Sequence, residues 1–305
     1  MFKKRLFLAL MIFWFCVLMI NIMRSSASDI SMQEDAFWSR KISWKNRFDI
    51  AAAGDSRTLI AISPQTMQSI LHGYKIGNLG FAALIYSQEY LDYVRASLIS
   101  PVRNKIIVLG FSPRSLLSHE ISNCFFRKWK NVNSMPLKTE INIKSGWLRS
   151  LFRELGANDL NIHSKRDTNE WLMICFESGW VASRYFPERP RGSQGIYRTT
   201  FQKYKIDEKL LEIIYQNTET WTREGIKVFG IRIPASSGLM QIENEMSGFN
   251  ESDIRRRFEK SGGIWLDPIA EGLITHDGSH LRYDSAIFYS QNLANELKKY
   301  LSVKR

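Results

Sequence analysis

Cysteine is scarce in this chain, with three in 305 residues. No two of them form a C-x-x-C pair, which excludes a disulfide-knit scaffold and argues against a structural zinc site of that type. Cys16 lies in an apolar run. That leaves Cys124 and Cys175 as the one pair that could bridge in an oxidising compartment, a question the sequence leaves open. Histidine is also sparse, and of the five, His72, His119 and His163 have no partner at metal-ligand spacing; no metal is expected. There is no Gly-rich loop of the P-loop or dinucleotide type, and no cofactor is expected. Internal repeats and low-complexity tracts are missing as well. Gly (18) and Pro (8) are too few for a fibrous chain, and 12% aromatic residues are too many for a disordered one.

Long apolar runs are limited to one. Leu6 to Ile20 is apolar without a break, it follows Lys3-Lys4-Arg5, and Asn21, Ile22 and Met23 extend it to Arg24. A helix over residues 6–23 spans about 27 Å, enough for the hydrocarbon core of a bilayer. The basic residues ahead of it predict a cytoplasmic tip, with everything after Arg24 outside. Residues 1–24 are therefore expected to be a membrane anchor, which makes the protein single-pass with an extracytoplasmic domain. A cleaved signal peptide is the competing reading, because Ser26-Ala27-Ser28 offers small residues for cleavage. Residues 25–45 are polar and mixed and read as a linker holding at most a short helix. Residues 46–305 then form one domain.

Within that domain strand and helix signals alternate. Phe48–Ala53, Lys105–Leu109 and Ile226–Ile233 are short apolar runs stopped by Gly54, Gly110 and Pro234, the pattern of fully buried strands. Helical spacing appears over 64–72, 83–98 and 284–301. The alternation predicts an α/β domain with a mostly parallel sheet. Residues 113–205 break this rhythm and read as an insertion or cap. The stretch 101–205 holds 18 Lys and Arg against 8 Asp and Glu, so most of the chain's net charge of +12 lies there. Such a region attracts an anionic glycan or a lipid surface, or is simply a solvated basic face. Nucleic acid is not expected, since no nucleic-acid motif is present. Trp129, Trp147, Trp171, Trp180 and Trp221 are candidates for a sugar-stacking groove or for ordinary core. Glu243 and Glu245 read as surface residues.

Two local features carry chemistry. Gly54-Asp55-Ser56-Arg57 follows the first buried strand, where a small residue allows a sharp turn that presents a serine hydroxyl at the carboxyl end of the sheet. His276-Asp277-Gly278-Ser279-His280 precedes the last helix. Asp277 and His280 are three apart, a spacing that sets a carboxylate against one imidazole nitrogen and frees the other to take a serine proton. His276 is a rival base. Taken singly, each feature is also what an ordinary helix cap looks like.

Together, Gly54-Asp55-Ser56 and the late Asp277-x-x-His280 resemble the SGNH (GDSL-like) hydrolase superfamily over roughly residues 46–112 and 225–301. The resemblance implies a three-layer α/β/α fold, with Ser56 as nucleophile and Asp277 and His280 completing a triad. Asn78-Leu79-Gly80-Phe81-Ala82-Ala83 is similar to the second family block, N-x-G-x-x-G, with Ala83 in place of the last glycine. It implies Gly80 or Ala83 as a backbone oxyanion donor, with Asn78 and Asp55 supporting. At the third block, Gly110-Phe111-Ser112-Pro113 places Ser112 where the family's oxyanion asparagine is expected, a departure that weakens the case for efficient hydrolysis. Arg232-Ile233-Pro234-Ala235-Ser236, with the N-terminal anchor, is similar to the membrane-anchored glycan O-acetyltransferase-like branch (AlgX, AlgJ and DltD type). That branch implies an acidic or neutral cell-envelope glycan as acceptor and a membrane-bound acyl-donor protein as partner. The competing expectation is a non-catalytic envelope protein that binds glycan or a partner complex.

Overall fold

Strands with no polar face must be covered on both sides, and the fold is built around five of them. The computed structural model of the chain describes residue 11 and residues 31–32, 34–118, 124–133 and 170–301. The central strands are β2 (Ile50–Ala53), β3 (Ile76–Asn78), β4 (Ile106–Phe111), β7 (Lys227–Arg232) and β8 (Ile264–Trp265). They form one sheet in the order β3-β2-β4-β7-β8, with every neighbouring pair parallel. The alternation of side chains sorts the core into two layers. Ala51, Ala53, Ile107, Leu109 and Val228 face one layer, with α4 (Gln88–Ser97), α7 (Glu208–Arg223) and α9 (Glu251–Lys260). Ile50, Ala52, Ile106, Val108, Phe229 and Ile231 face the other, with α3 (Pro64–Gln68) and α10 (Tyr283–Lys298). The expected α/β architecture is therefore present, a five-stranded parallel sheet flanked by helices.

The expected transmembrane span lies, but for Met11, outside the described residues. Among the described residues no helix is long and apolar enough to cross a membrane. The stretch expected to be a linker is built differently. In α1 (Glu34–Ile42), Phe37 and Trp38 are buried, as is Trp44 just after it, and they join the core of the first layer. The buried Lys41 amine donates to Gly179 O at 2.7 Å, with the rings of Phe37 and Phe81 5.1 and 5.2 Å away. A polar composition thus hides three large aromatics that dock the segment.

Part of the basic insertion is described. β1 (Ser31–Met32), β5 (Glu170–Phe176) and β6 (Val181–Phe186) make a small antiparallel sheet in the order β1-β5-β6. Two helices belong to the same region, α5 (Phe125–Asn133) ahead of β5 and α6 (Gln194–Lys203) after β6. Trp129, Trp180 and Trp221 are buried core residues, so these three do not line a sugar groove; Trp147 lies outside the described residues. Cys124 and Cys175 are both free and buried, so the bridge the sequence left open is not formed. Burial pushes the Cys175 thiol up to about 12.

Candidate active site

The carboxyl ends of β2 and β4 meet where the chain departs to opposite sides of the first strand. In open α/β sheets this is the position of the ligand crevice. Gly54 ends β2 with φ +155, and a Cβ there would lie 2.2 Å from Thr58 Oγ1 and 3.0 Å from Gly110 O, so only glycine allows the turn. Asp55 follows as N-cap of α2 (Ser56–Ala61), accepting a hydrogen bond from the Arg57 N–H at 3.0 Å. Ser56 is the first helical residue. α2 is short, and side chains satisfy its end: Asn78 Nδ2 donates to the carbonyls of Thr58 (2.8 Å), Leu59 (3.2 Å) and Ile62 (2.7 Å), Trp180 Nε1 to Ile60 O (2.8 Å) and Ser290 Oγ to Ala61 O (3.2 Å). Asn78 thus buttresses the helix that carries the serine.

The loop 276–280 is a closed hairpin tip. Thr275 bridges Leu281 antiparallel, and the His276 N–H donates to His280 O at 3.0 Å. Three successive loop carbonyls are taken by N–H groups from elsewhere: His276 O by Arg189 (2.7 Å), Asp277 O by Ser193 (2.8 Å) and Gly278 O by Ser236 (2.9 Å). The first two donors belong to the basic insertion, and the third ends the Arg232–Ser236 segment. The side chains of Arg189 and Arg191 are exposed, while the backbone of their loop is pinned to this tip.

The two features meet. Ser56 Oγ lies 2.9 Å from His280 Nε2, and His280 Nδ1 lies 2.7 Å from Asp277 Oδ2. Asp277 Oδ1 accepts from the N–H groups of Ser279 (2.8 Å) and His280 (2.7 Å). An ionised carboxylate only accepts, so His280 donates from Nδ1 and its Nε2 is left as acceptor for the Ser56 hydroxyl. Burial works to raise the Asp277 carboxyl, but the charge and hydrogen bond of the His280 side chain, the neighbouring His276 and the His280 N–H together outweigh it and hold the group well below the usual carboxylate range. The arrangement can therefore take a proton from Ser56 and stabilise the resulting imidazolium.

His276 is placed apart from the serine. Its ring is buried and stacks against that of His280, centroids 5.9 Å apart, while its Nε2 lies 2.9 Å from Ser183 Oγ. Burial first, and then the neighbouring His280, push it down to about 4 despite Asp277. It is a neutral structural histidine.

The proposed oxyanion donors are disposed differently from expectation. The Ser112 hydroxyl donates to Asp55 Oδ2 and so ties the end of β4 to the cap of α2. The Gly80 N–H donates to Asn78 Oδ1 at 2.8 Å. Ala83 alone of the three lines the cleft with Ser56, and it does so at φ +50, a left-handed conformation that favours glycine. The remaining candidate is the Ser56 N–H itself.

The cleft, about 120 Å³, is lined beside Ser56 and His280 by the apolar Ala83, Leu84, Ile85 and Ile196 and by Tyr197, Arg114, Ser193 and Asp55. The sequence reading missed Arg114, Ser193 and Tyr197. It also missed Arg57, which is 1% exposed and ion-paired with Glu243. Glu243, expected at the surface, is fully buried and also accepts from Arg232 at 3.3 Å, whereas Glu245 is exposed as expected. One signal for Arg57 was present: a cation at the second position of a helix opposes the helix dipole and needs a specific partner. Among the described residues no cluster of His, Cys, Asp or Glu could hold a metal ion. No protein-family model, no curated protein and no solved structure matches this chain.

Proposed function

We propose that the protein is a serine esterase or O-acyltransferase of SGNH type, anchored in the membrane by its N-terminal segment and acting outside the cytoplasm on cell-envelope glycans. The observation that carries the catalytic part is the unbroken Ser56–His280–Asp277 hydrogen-bond chain at the carboxyl end of a parallel sheet, facing a cleft. Ser56 Oγ attacks the ester carbonyl as His280 Nε2 takes its proton. The tetrahedral oxyanion collapses with expulsion of the alcohol, which His280 reprotonates, leaving an acyl ester on Ser56. Water or a glycan hydroxyl, deprotonated by His280, then attacks that ester and releases Ser56. The Ser56 and Ala83 N–H groups are the oxyanion donors in this reading. The glycan substrate, the acyl-donor protein and the compartment follow from the resemblance and the apolar run.

A second reading, a non-catalytic domain that binds glycan or a partner complex, is favoured by one observation. Ser112 and Gly80, the donors expected to hold the oxyanion, are spent on Asp55 and Asn78.

The full-length chain in detergent micelles, incubated with p-nitrophenyl acetate, separates the two. Release of nitrophenol with an acetyl adduct on the Ser56 peptide, both lost in Ser56→Ala and His280→Ala, supports the enzyme. A folded wild type that forms no adduct overturns it and favours the binding domain.

A further inference from the structure

Arg57 sits one peptide bond from Ser56, yet its side chain is buried and does not line the cleft. Its Nε donates to Ser279 Oγ at 3.1 Å, and its Nη2 pairs with Glu243 Oε1. Ser279 Oγ shares a second hydrogen bond with the Tyr197 hydroxyl at 2.8 Å, and the guanidinium carbon lies 5.3 Å from the Tyr197 ring centre. The Ser279 N–H is one of the two donors that fix Asp277 Oδ1. All four side chains are buried.

We infer that Arg57 is a positioning residue: through Ser279 it latches the helix that carries Ser56 to the loop that carries Asp277 and His280. The inference rests on the serine-hydrolase reading above for its consequence in turnover, though not for its geometry. Ser56 and His280 belong to elements that share no strand pairing. Their 2.9 Å separation is set by how α2 and the loop 276–280 are held against each other. The guanidinium spans that junction with a planar fork. One arm is anchored on Glu243 in α8 (Ser237–Met246), which Arg232 holds from the other side. The other arm reaches the loop. Tyr197 brings α6 of the basic insertion onto the same hydroxyl, so α2 and α6 both reach the loop at Ser279, and α8 joins them through Arg57.

The alternative is that Arg57 and Glu243 form an ion pair that matters only for stability. The two differ in the role of Ser279. Lysine keeps a positive charge against Glu243 but has a single donor nitrogen, which cannot serve Glu243 and Ser279 in the geometry of a fork. Ser279→Ala leaves the Arg57–Glu243 pair intact and removes both side-chain links to the loop, from Arg57 and from Tyr197, whereas Tyr197→Phe removes the second alone.

The test compares Arg57→Lys, Ser279→Ala, their double variant and Tyr197→Phe in the full-length chain, by ester hydrolysis and by the low-field proton resonance of His280 Nδ1–H. Displacement of a catalytic group by about 1 Å costs up to about 10²-fold. Ser279→Ala is expected to lower kcat by about 10- to 100-fold with KM within about twofold, and to shift or broaden the His280 resonance. The double variant should be no worse than the poorer single one, because both cut the same link. Tyr197→Phe, which leaves Arg57–Ser279 in place, should leave the His280 resonance at its wild-type position, whatever it does to the cleft that Tyr197 lines. A folded Ser279→Ala protein with wild-type kcat and an unchanged His280 resonance overturns the latch, as do losses that multiply in the double variant. Should Arg57→Lys fail to fold, Ser279→Ala decides alone. Should the wild type hydrolyse no ester, the enzymatic reading fails. The resonance then still decides the latch: unchanged in Ser279→Ala refutes it, and shifted or broadened supports it.

Discussion

Asp277→Asn is the substitution whose effect the geometry defines most sharply. Asp277 Oδ1 accepts two backbone N–H groups, from Ser279 and His280, and Oδ2 faces His280 Nδ1. An asparagine has one accepting oxygen and one donating nitrogen. Two backbone donors claim the oxygen, so the amide nitrogen is forced to face Nδ1. That nitrogen then has to accept, which moves the ring proton to Nε2, where it points at Ser56 Oγ. The base is removed although every heavy atom stays in place. A Ser-His-Asp site that loses its correct tautomer in this way drops about 10⁴-fold in kcat, about 5.5 kcal/mol of transition-state stabilisation. The fold loses one charge-assisted hydrogen bond, about 1.5–3 kcal/mol, and stays folded. The assay is p-nitrophenyl acetate hydrolysis, read beside urea unfolding of the same preparation. Turnover within about tenfold of wild type in a folded Asp277→Asn protein refutes the argument, because a serine without a base cannot sustain it.

Three further outcomes are expected. Ser112→Ala should cost about 1.5–3 kcal/mol in urea unfolding through the lost bond to Asp55, yet lower kcat by less than about tenfold. A 10²–10³-fold loss would mark Ser112 as an oxyanion donor after all. Ala83→Gly should stabilise the protein by about 0.5–1 kcal/mol, because relief of the left-handed strain exceeds the extra chain entropy of glycine; a destabilised variant contradicts the strain. His276 is held down to about 4 in the fold against 6.5 when free. The unfolded chain therefore binds a proton that the folded chain refuses, and stability is full above pH 6.5 and falls as pH drops towards 4. About 3 kcal/mol is at stake, and His276→Gln should flatten that part of the stability–pH curve.

Much of the architecture was legible in the chain. Apart from Lys105, Lys227 and Arg232, Lys105–Leu109 and Ile226–Ile233 hold only apolar residues and glycine, so both faces of the strand are apolar, which a sheet covered on both faces requires, and they are β4 and β7 within one residue at their starts and within two at their ends. β3 and β8 escaped because they hold three and two residues, too few for any period to show. The segment 34–44 escaped because its polar residues outnumber the three aromatics that bury it. At the site, the pairing of Asp277 with His280 was readable, since only Gly278 and Ser279 separate them along the chain. The sequence by itself also determined that a serine would follow a tight glycine turn at the end of a buried strand.

Only the tertiary structure decided the rest. Ser56 and His280 are 224 residues apart, and their contact depends on how a short helix and a hairpin tip are held together. Ser112 and Gly80 sit where oxyanion donors were expected, yet nearby acceptors, Asp55 and Asn78, claim their protons first. Glu243 has the local look of a surface residue. It is buried because Arg57 and Arg232, brought from other parts of the chain, surround it with positive charge. A carboxylate enters the interior only with its partners, and which partners arrive is a property of packing that no local pattern records.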